Sequence, residues 1–230
     1  MEAMHAKPAP DCLPAKLYLL ACDTKRRRLR SVNVLGYVLR AGILTELQHR
    51  GCLEDRDGRA APVGDVRTGD PMLDWVLREL VSMRPRKWEK LIKRDRTRTL
   101  QAVERQLEAA GVIEVERRDW LSDRVSVLKP GMVEELRSEA SLPLLDHSQP
   151  APQVPRQQAA LSVMVAVGRV PGVFTVRQRR RNRKRLNELA GHSGETPEAL
   201  KTALLDRFDE TGERFAPWDR LFRAGSDVAD

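Results

Sequence analysis

The sequence predicts a mainly α protein: a helix-dominated domain in which the only sheet of note is a β-hairpin. Three observations carry that expectation. Apolar residues recur at a helical period along most of the chain, and the period changes to two just after Gly111. Aromatic residues make up 4% of the 230 positions, so the core must be built from Leu, Val, Ile and Ala. The apolar fraction of 41% is enough for one such core.

Residues 1–12 carry the Pro and Ala of a tail expected to be disordered. Leu13–Ala21 (LPAKLYLLA) is apolar throughout and predicts a short buried helix, followed by a basic loop at Lys25–Arg30. In Val32–Arg50 the residues Leu35, Val38, Leu39, Ile43, Leu44 and Leu47 follow a 3.6 period, the mark of a core helix, and Gly51 suits its left-handed cap. Cys52–Arg67 is charged and turn-rich, a loop or small hairpin. Thr68-Gly69-Asp70-Pro71 opens a helix, with Asp70 as N-cap and Pro71 at its first position. That helix should turn Leu73, Val76, Leu77, Leu80 and Val81 inward and stop before Arg84-Pro85. A short helix follows around Trp88, Leu91 and Ile92. A longer one, Thr97–Ala110, buries Leu100, Val103 and Leu107 and closes at Gly111.

Val112–Arg118 and Arg124–Leu128 then alternate, which predicts a hairpin and the chain's only notable sheet. Its outward residues Glu114, Glu116, Arg118 and Arg124 are charged, and Trp120 sits in the turn. Trp120 and Arg118 are therefore expected at an interface, for self-association or a partner. Met132–Ala140 predicts a helix, 141–156 a Pro-rich internal loop, and Gln157–Gly168 a buried helix. Phe174–Ala190 reads as one basic helix, and Thr196-Pro197-Glu198 opens another reaching about Glu210. The domain should span 13–215, leaving 216–230 as a tail with Trp218, Leu221 and Phe222 available for docking.

Charge narrows the partners. Forty-one basic against thirty-three acidic residues give +8 and a pI near 9.8. That balance favours a polyanion: nucleic acid, an anionic membrane surface or a phosphorylated ligand. Met1–Pro10 has no apolar run of a secretory signal, and Ala159–Val167 falls far short of the roughly 20 residues that span a bilayer. Cys12, Cys22 and Cys52 are too widely spaced for a disulfide framework or zinc knuckle, which predicts a cytoplasmic setting. His5, His49, His147 and His192 are scattered, so neither a metal site nor a cofactor is expected. The sequence contains no GxSxG, P-loop, GxGxxG or HExxH. Asp70 and Asp74 fit the negative first turn of a helix better than a catalytic pair. An enzyme is not expected.

Three basic runs stand out: Lys25–Arg30, Arg84–Arg98 and Arg177–Arg185 (RQRRRNRKR). Arginine dominates them, which suits bidentate phosphate contacts. Arg40 differs, because it lies inside the apolar pattern of its helix. It must pair with an anion or reach water; Asp23, Glu46 and Asp74 are the candidate partners, with a phosphate pocket as the other reading.

VLRAGILTELQHRGCL (Val38–Leu53), TGDPMLDWVL (Thr68–Leu77) and VERQLEAAGVIEVE (Val103–Glu116) occur in that order. LYLLACD (Leu17–Asp23) precedes them and PRQQAALSVMVAVGRVPGVF (Pro155–Phe174) follows. Together these segments resemble the Golgi phosphoprotein 3 family, over Leu13 to about Leu189. The resemblance implies a single helical-bundle domain with one projecting β-hairpin, in a peripheral adaptor that binds phosphatidylinositol 4-phosphate in a basic pocket, recognises cytoplasmic protein tails, and self-associates through the hairpin in some members. It places Arg40 on a pocket arginine and Ser31 where the family has a lipid-contacting Trp. Thr97 and Leu100 fall on two further pocket arginines, with Arg96 and Arg98 one or two residues away. Arg30 stands beside Ser31. The implied headgroup site is thus Arg40, Arg30, Arg96 and Arg98. A helix, Gly111 and two short strands also fit a winged-helix DNA-binding protein, and a non-catalytic scaffold is a third reading.

Overall fold

Helix α2 (Val32–His49) is the axis of the fold, and every residue from Leu35 to Leu47 is buried. A helix buried on every side, with Arg40, Thr45 and Glu46 as its enclosed polar residues, must be surrounded by other elements. The computed structural model, which describes residues 11–64, 67–118 and 123–211, shows how. Packed on α2 are α1 (Leu13–Ala21), α4 (Trp88–Ile92), α5 (Arg96–Ala109), α7 (Arg156–Val167) and α10 (Thr196–Thr211). Glycines permit the closest crossings. A Cβ on Gly42 would stand 2.7 Å from Leu17 Cδ1, and one on Gly168 would stand 2.3 Å from Val38 Cγ2. The buried apolar side chains of all these helices form one core cluster.

The Thr68-Gly69-Asp70 turn serves this architecture. Asp70 Oδ1 accepts the N–H groups of Met72 (2.9 Å) and Leu73 (3.1 Å), capping α3 (Pro71–Val81) as expected. Its Oδ2 accepts Gln106 Nε2 at 2.8 Å, which ties α3 to α5. Thr68 donates both its N–H and its hydroxyl to Asp74, each at 2.7 Å. Asp70→Ala is expected to cost about 1–2 kcal/mol, read as a lower melting temperature, with anion binding unchanged.

The sheets are small, but the β6–β7 hairpin is not the only one. Strand β1 (Cys22–Asp23) pairs with β2 (Arg28–Leu29), and β3 (Leu53–Arg56), β4 (Arg59–Pro62) and β5 (Arg86–Lys87) form a three-stranded antiparallel sheet. Asp57 and Gly58 both take positive φ (54° and 75°), which builds a tight hairpin turn between β3 and β4. Strands β6 (Ile113–Glu116) and β7 (Arg124–Val127) form the expected hairpin, with Ile113 opposite Val127 and Val115 opposite Val125. Its base is core. Ile113, Val125 and Val127 are buried, and the Val125 N–H donates to Arg27 O at 2.9 Å.

Other boundaries also differ from expectation. Helix α6 (Pro130–Leu145) runs through Pro143 into the segment read as a loop, followed by one 3-10 turn at Ala151–Gln153. Burial of Ala140, Pro143 and Leu144 offsets the lost backbone bond. The basic segment is two helices, α8 (Val176–Arg181) and α9 (Arg183–Ser193), meeting at Asn182. Thr175 and Gln178 form a capping box that fixes the start of α8. Cys12, expected in the tail, is buried at the N-cap of α1. Residues 1–10 and 216–230, including Trp218, lie outside the described residues.

Candidate anion-binding site

Two helix N-termini meet at one corner of the bundle. Ser31 precedes α2 and Asp95 precedes α5, both in the left-handed region (φ 55° and 48°). Neither side chain accepts a bond from its helix's first turn, and neither first turn contains an acid. The partial positive charge of each terminus is thus left without a capping side chain. Gly36 brings the two together. A Cβ there would lie 2.9 Å from Arg96 Cβ and 3.0 Å from Arg96 O, so α5 begins directly against the second turn of α2.

Arginines line this corner. Arg96, the first residue of α5, is exposed and stacks over the Tyr37 ring at 4.3 Å from its centroid. Arg98 is 74% exposed, held by Asp95 at a long 3.9 Å. Arg30 donates its backbone N–H to Ala21 O at 3.0 Å and leaves its side chain exposed. The nearby Asp23 carboxyl is held below the usual range, first by the Arg26 N–H and then by the charges of Arg26, Arg30 and Arg28. Arg98 also lines a groove with Trp75 and Arg105 between α3 and α5.

Arg40 lies four residues beyond Gly36 on the same face of α2, one turn deeper. It is fully enclosed, at 0% exposure. Its Nη2 donates to Glu79 at 2.9 Å, its Nε donates to Leu91 O at 3.3 Å, and the guanidinium lies 5.8 Å from the Trp75 ring centroid. The ion-pair reading therefore holds with a different partner: Glu79, not Asp23, Glu46 or Asp74. Glu79 also takes Arg94 at 2.6 Å, so one carboxylate serves two guanidiniums. Arg94 also pairs with Asp95 at 3.2 Å, so the charges of Arg40, Arg94, Glu79 and Asp95 balance, and Arg40 Nη1 is buried without a hydrogen-bond partner among the described residues.

The family model described as Golgi phosphoprotein 3 (GPP34) matches residues 13–206, most of the chain. The chain belongs to the Golgi phosphoprotein 3 family. Comparison with curated proteins gives no significant match.

In this Golgi phosphoprotein 3 chain, three of the four arginines singled out from sequence, Arg30, Arg96 and Arg98, stand exposed at one corner, while Arg40 supports it from inside. Sequence reasoning missed Glu79, Gly36 and Tyr37. The Arg40–Glu79 pair joins residues 39 positions apart, so no local pattern marks it. Gly36 sits four residues before Arg40, a spacing that marks close helix packing without naming the partner helix. Ser31 is exposed at the corner. The other predicted site is partly described. Arg118 donates its backbone N–H to Asp123 at 3.3 Å at the end of the hairpin, and Trp120 lies outside the described residues. Among the described residues no helix is long and apolar enough to cross a membrane.

Proposed function

We propose that this chain is a non-catalytic adaptor that attaches peripherally to the cytosolic face of a membrane by binding an anionic phospholipid headgroup at the α2–α5 corner. The observation that carries this reading is the convergence of two uncapped helix N-termini with three exposed arginines. Backbone N–H groups and helix dipoles suit a phosphate oxygen, and guanidiniums add charge-assisted hydrogen bonds. The buried Arg40, paired with Glu79, braces α2 one turn below the corner. Phosphatidylinositol 4-phosphate is the headgroup that family membership suggests. The hairpin end, with Arg118, is the proposed surface for self-association or a protein tail.

With Ser31 in place of a ring that can enter the bilayer, attachment rests on electrostatics and should be strongly salt-sensitive. Ser31→Trp is therefore expected to strengthen binding to phosphatidylinositol 4-phosphate vesicles several-fold and to flatten its salt dependence. Flotation of both proteins across a salt series checks this. A Trp variant with unchanged affinity and salt slope would place Ser31 away from the bilayer.

A further inference from the structure

The third basic run has no role in the corner. Residues 177–185 contain seven arginines and lysines and no acid. Two of the seven work inside the fold. Arg185 is buried and donates to Pro143 O (3.1 Å) and Gln149 O (2.7 Å), and Arg179 donates to Phe174 O (3.2 Å). Arg183 is half-buried, and the other four have another arrangement. Asn182 barely interrupts the helical path, since its N–H donates to Gln178 O and its carbonyl accepts the Leu186 N–H. Arg177, Arg180, Arg181 and Lys184 are all exposed, and their spacing of three, four and seven puts them on one face. None of their side chains forms a hydrogen bond or ion pair among the described residues. The exposed Glu188 closes the row.

Apolar side chains accompany this face. Val176, at the start of α8, is 49% exposed. The end of α6 docks on the α8–α9 junction through Arg185 and through the His147–Asn182 contact at 2.9 Å, and it carries Leu142 (57% exposed) and Leu145 (37% exposed). Free arginines beside exposed leucines match an anionic bilayer, which offers phosphates at its surface and hydrocarbon beneath. A nucleic-acid backbone needs the charge but not the leucines.

The position of the face follows from the packing. Gly168 abuts Val38 in the first half of α2, whereas Gly194 abuts Gln48 near its end. Between these two points the chain therefore advances from the first half of α2 toward its end. That sets the start of α8 toward the end of the bundle where α2 begins. Leu142 and Leu145 lie toward the other end, since Glu139 pairs with Lys16 and the Leu13 N–H donates to Glu46.

We infer that the Arg177–Lys184 face, with Val176, Leu142 and Leu145, is a second contact with the anionic bilayer surface, separate from the headgroup corner. This inference rests on the membrane reading above and adds a surface that needs no specific headgroup. Two linked contacts multiply their affinities.

The test uses the full chain and a variant carrying Arg177→Glu, Arg180→Glu and Arg181→Glu, with melting curves to confirm that it folds. Partition onto phosphatidylcholine vesicles containing phosphatidylglycerol should fall about a hundred-fold. Binding of a soluble inositol phosphate, which reports on the corner alone, should not change. Leu142→Ser with Leu145→Ser should weaken vesicle binding several-fold and leave retention on duplex DNA as it was. Vesicle binding untouched by the triple variant overturns the inference, as does a triple variant that loses DNA retention alone. If the wild-type chain binds these vesicles but no inositol phosphate, the corner reading fails and the second contact stands.

Discussion

Arg40→Ala should lower the free energy of unfolding by about 3 kcal/mol while changing vesicle binding of the folded protein far less than surface substitutions do. The guanidinium is fully enclosed and supplies a charge-assisted bond to Glu79 and a donor to the Leu91 carbonyl. Its loss leaves a cavity, an unpaired carbonyl and a carboxylate with one cation fewer. Arg94 remains on Glu79, which holds the cost near the lower end of what breaking a buried pair incurs. Arg40→Lys should recover little, because an ammonium cannot reproduce the two contacts made by the Nε and Nη2 forks. Chemical denaturation of the three proteins measures the loss. An Arg40→Ala protein as stable as wild type but unable to bind vesicles would return Arg40 to direct contact with the headgroup.

The corner arginines should behave in the opposite way. Arg30→Glu, Arg96→Glu and Arg98→Glu combined are expected to reduce binding to phosphatidylinositol 4-phosphate vesicles by about a hundred-fold or more. The melting temperature should shift little, since all three side chains are exposed. Arg96 has the most to lose structurally, through its stacking on Tyr37, a contact worth about 1 kcal/mol. The same substitutions should also flatten the salt dependence, because fewer counterions are exchanged on binding. A matched substitution at Arg59, on the separate β3–β4–β5 sheet, should do little.

The elements that sequence made legible are those with a local cause. The α2 core stripe, the Asp70 cap, and the Gly111 end of α5 follow from residues a few positions apart. The helical continuation through Pro143 was not legible, because a proline in a Pro-rich segment signals a break. The burial that overrides it comes from tertiary packing. The β3–β4 hairpin had a visible signal, Asp57-Gly58, set within short flanks of charged residues rather than alternating apolar ones. The site divides in the same manner. Family motifs and charge marked Arg30, Arg40, Arg96 and Arg98. What separates Arg40 from the rest is Glu79 on another helix, a long-range contact that spacing along α2 does not encode. The uncapped termini were equally hidden. Ser31 and Asp95 are residue types that normally cap, and only their left-handed backbone removes them from that role.

That last point supplies the most direct test of the headgroup corner. In an amide-resolved NMR titration of the full chain with a soluble inositol phosphate, the first-turn N–H groups of both helices should report the ligand. The account predicts the largest shifts at Val32 and Asn33 and at Arg96, Thr97 and Arg98, saturating together with one affinity, while Leu91 and Glu79 move little. Shifts confined to another surface, or none at saturating ligand, would contradict it.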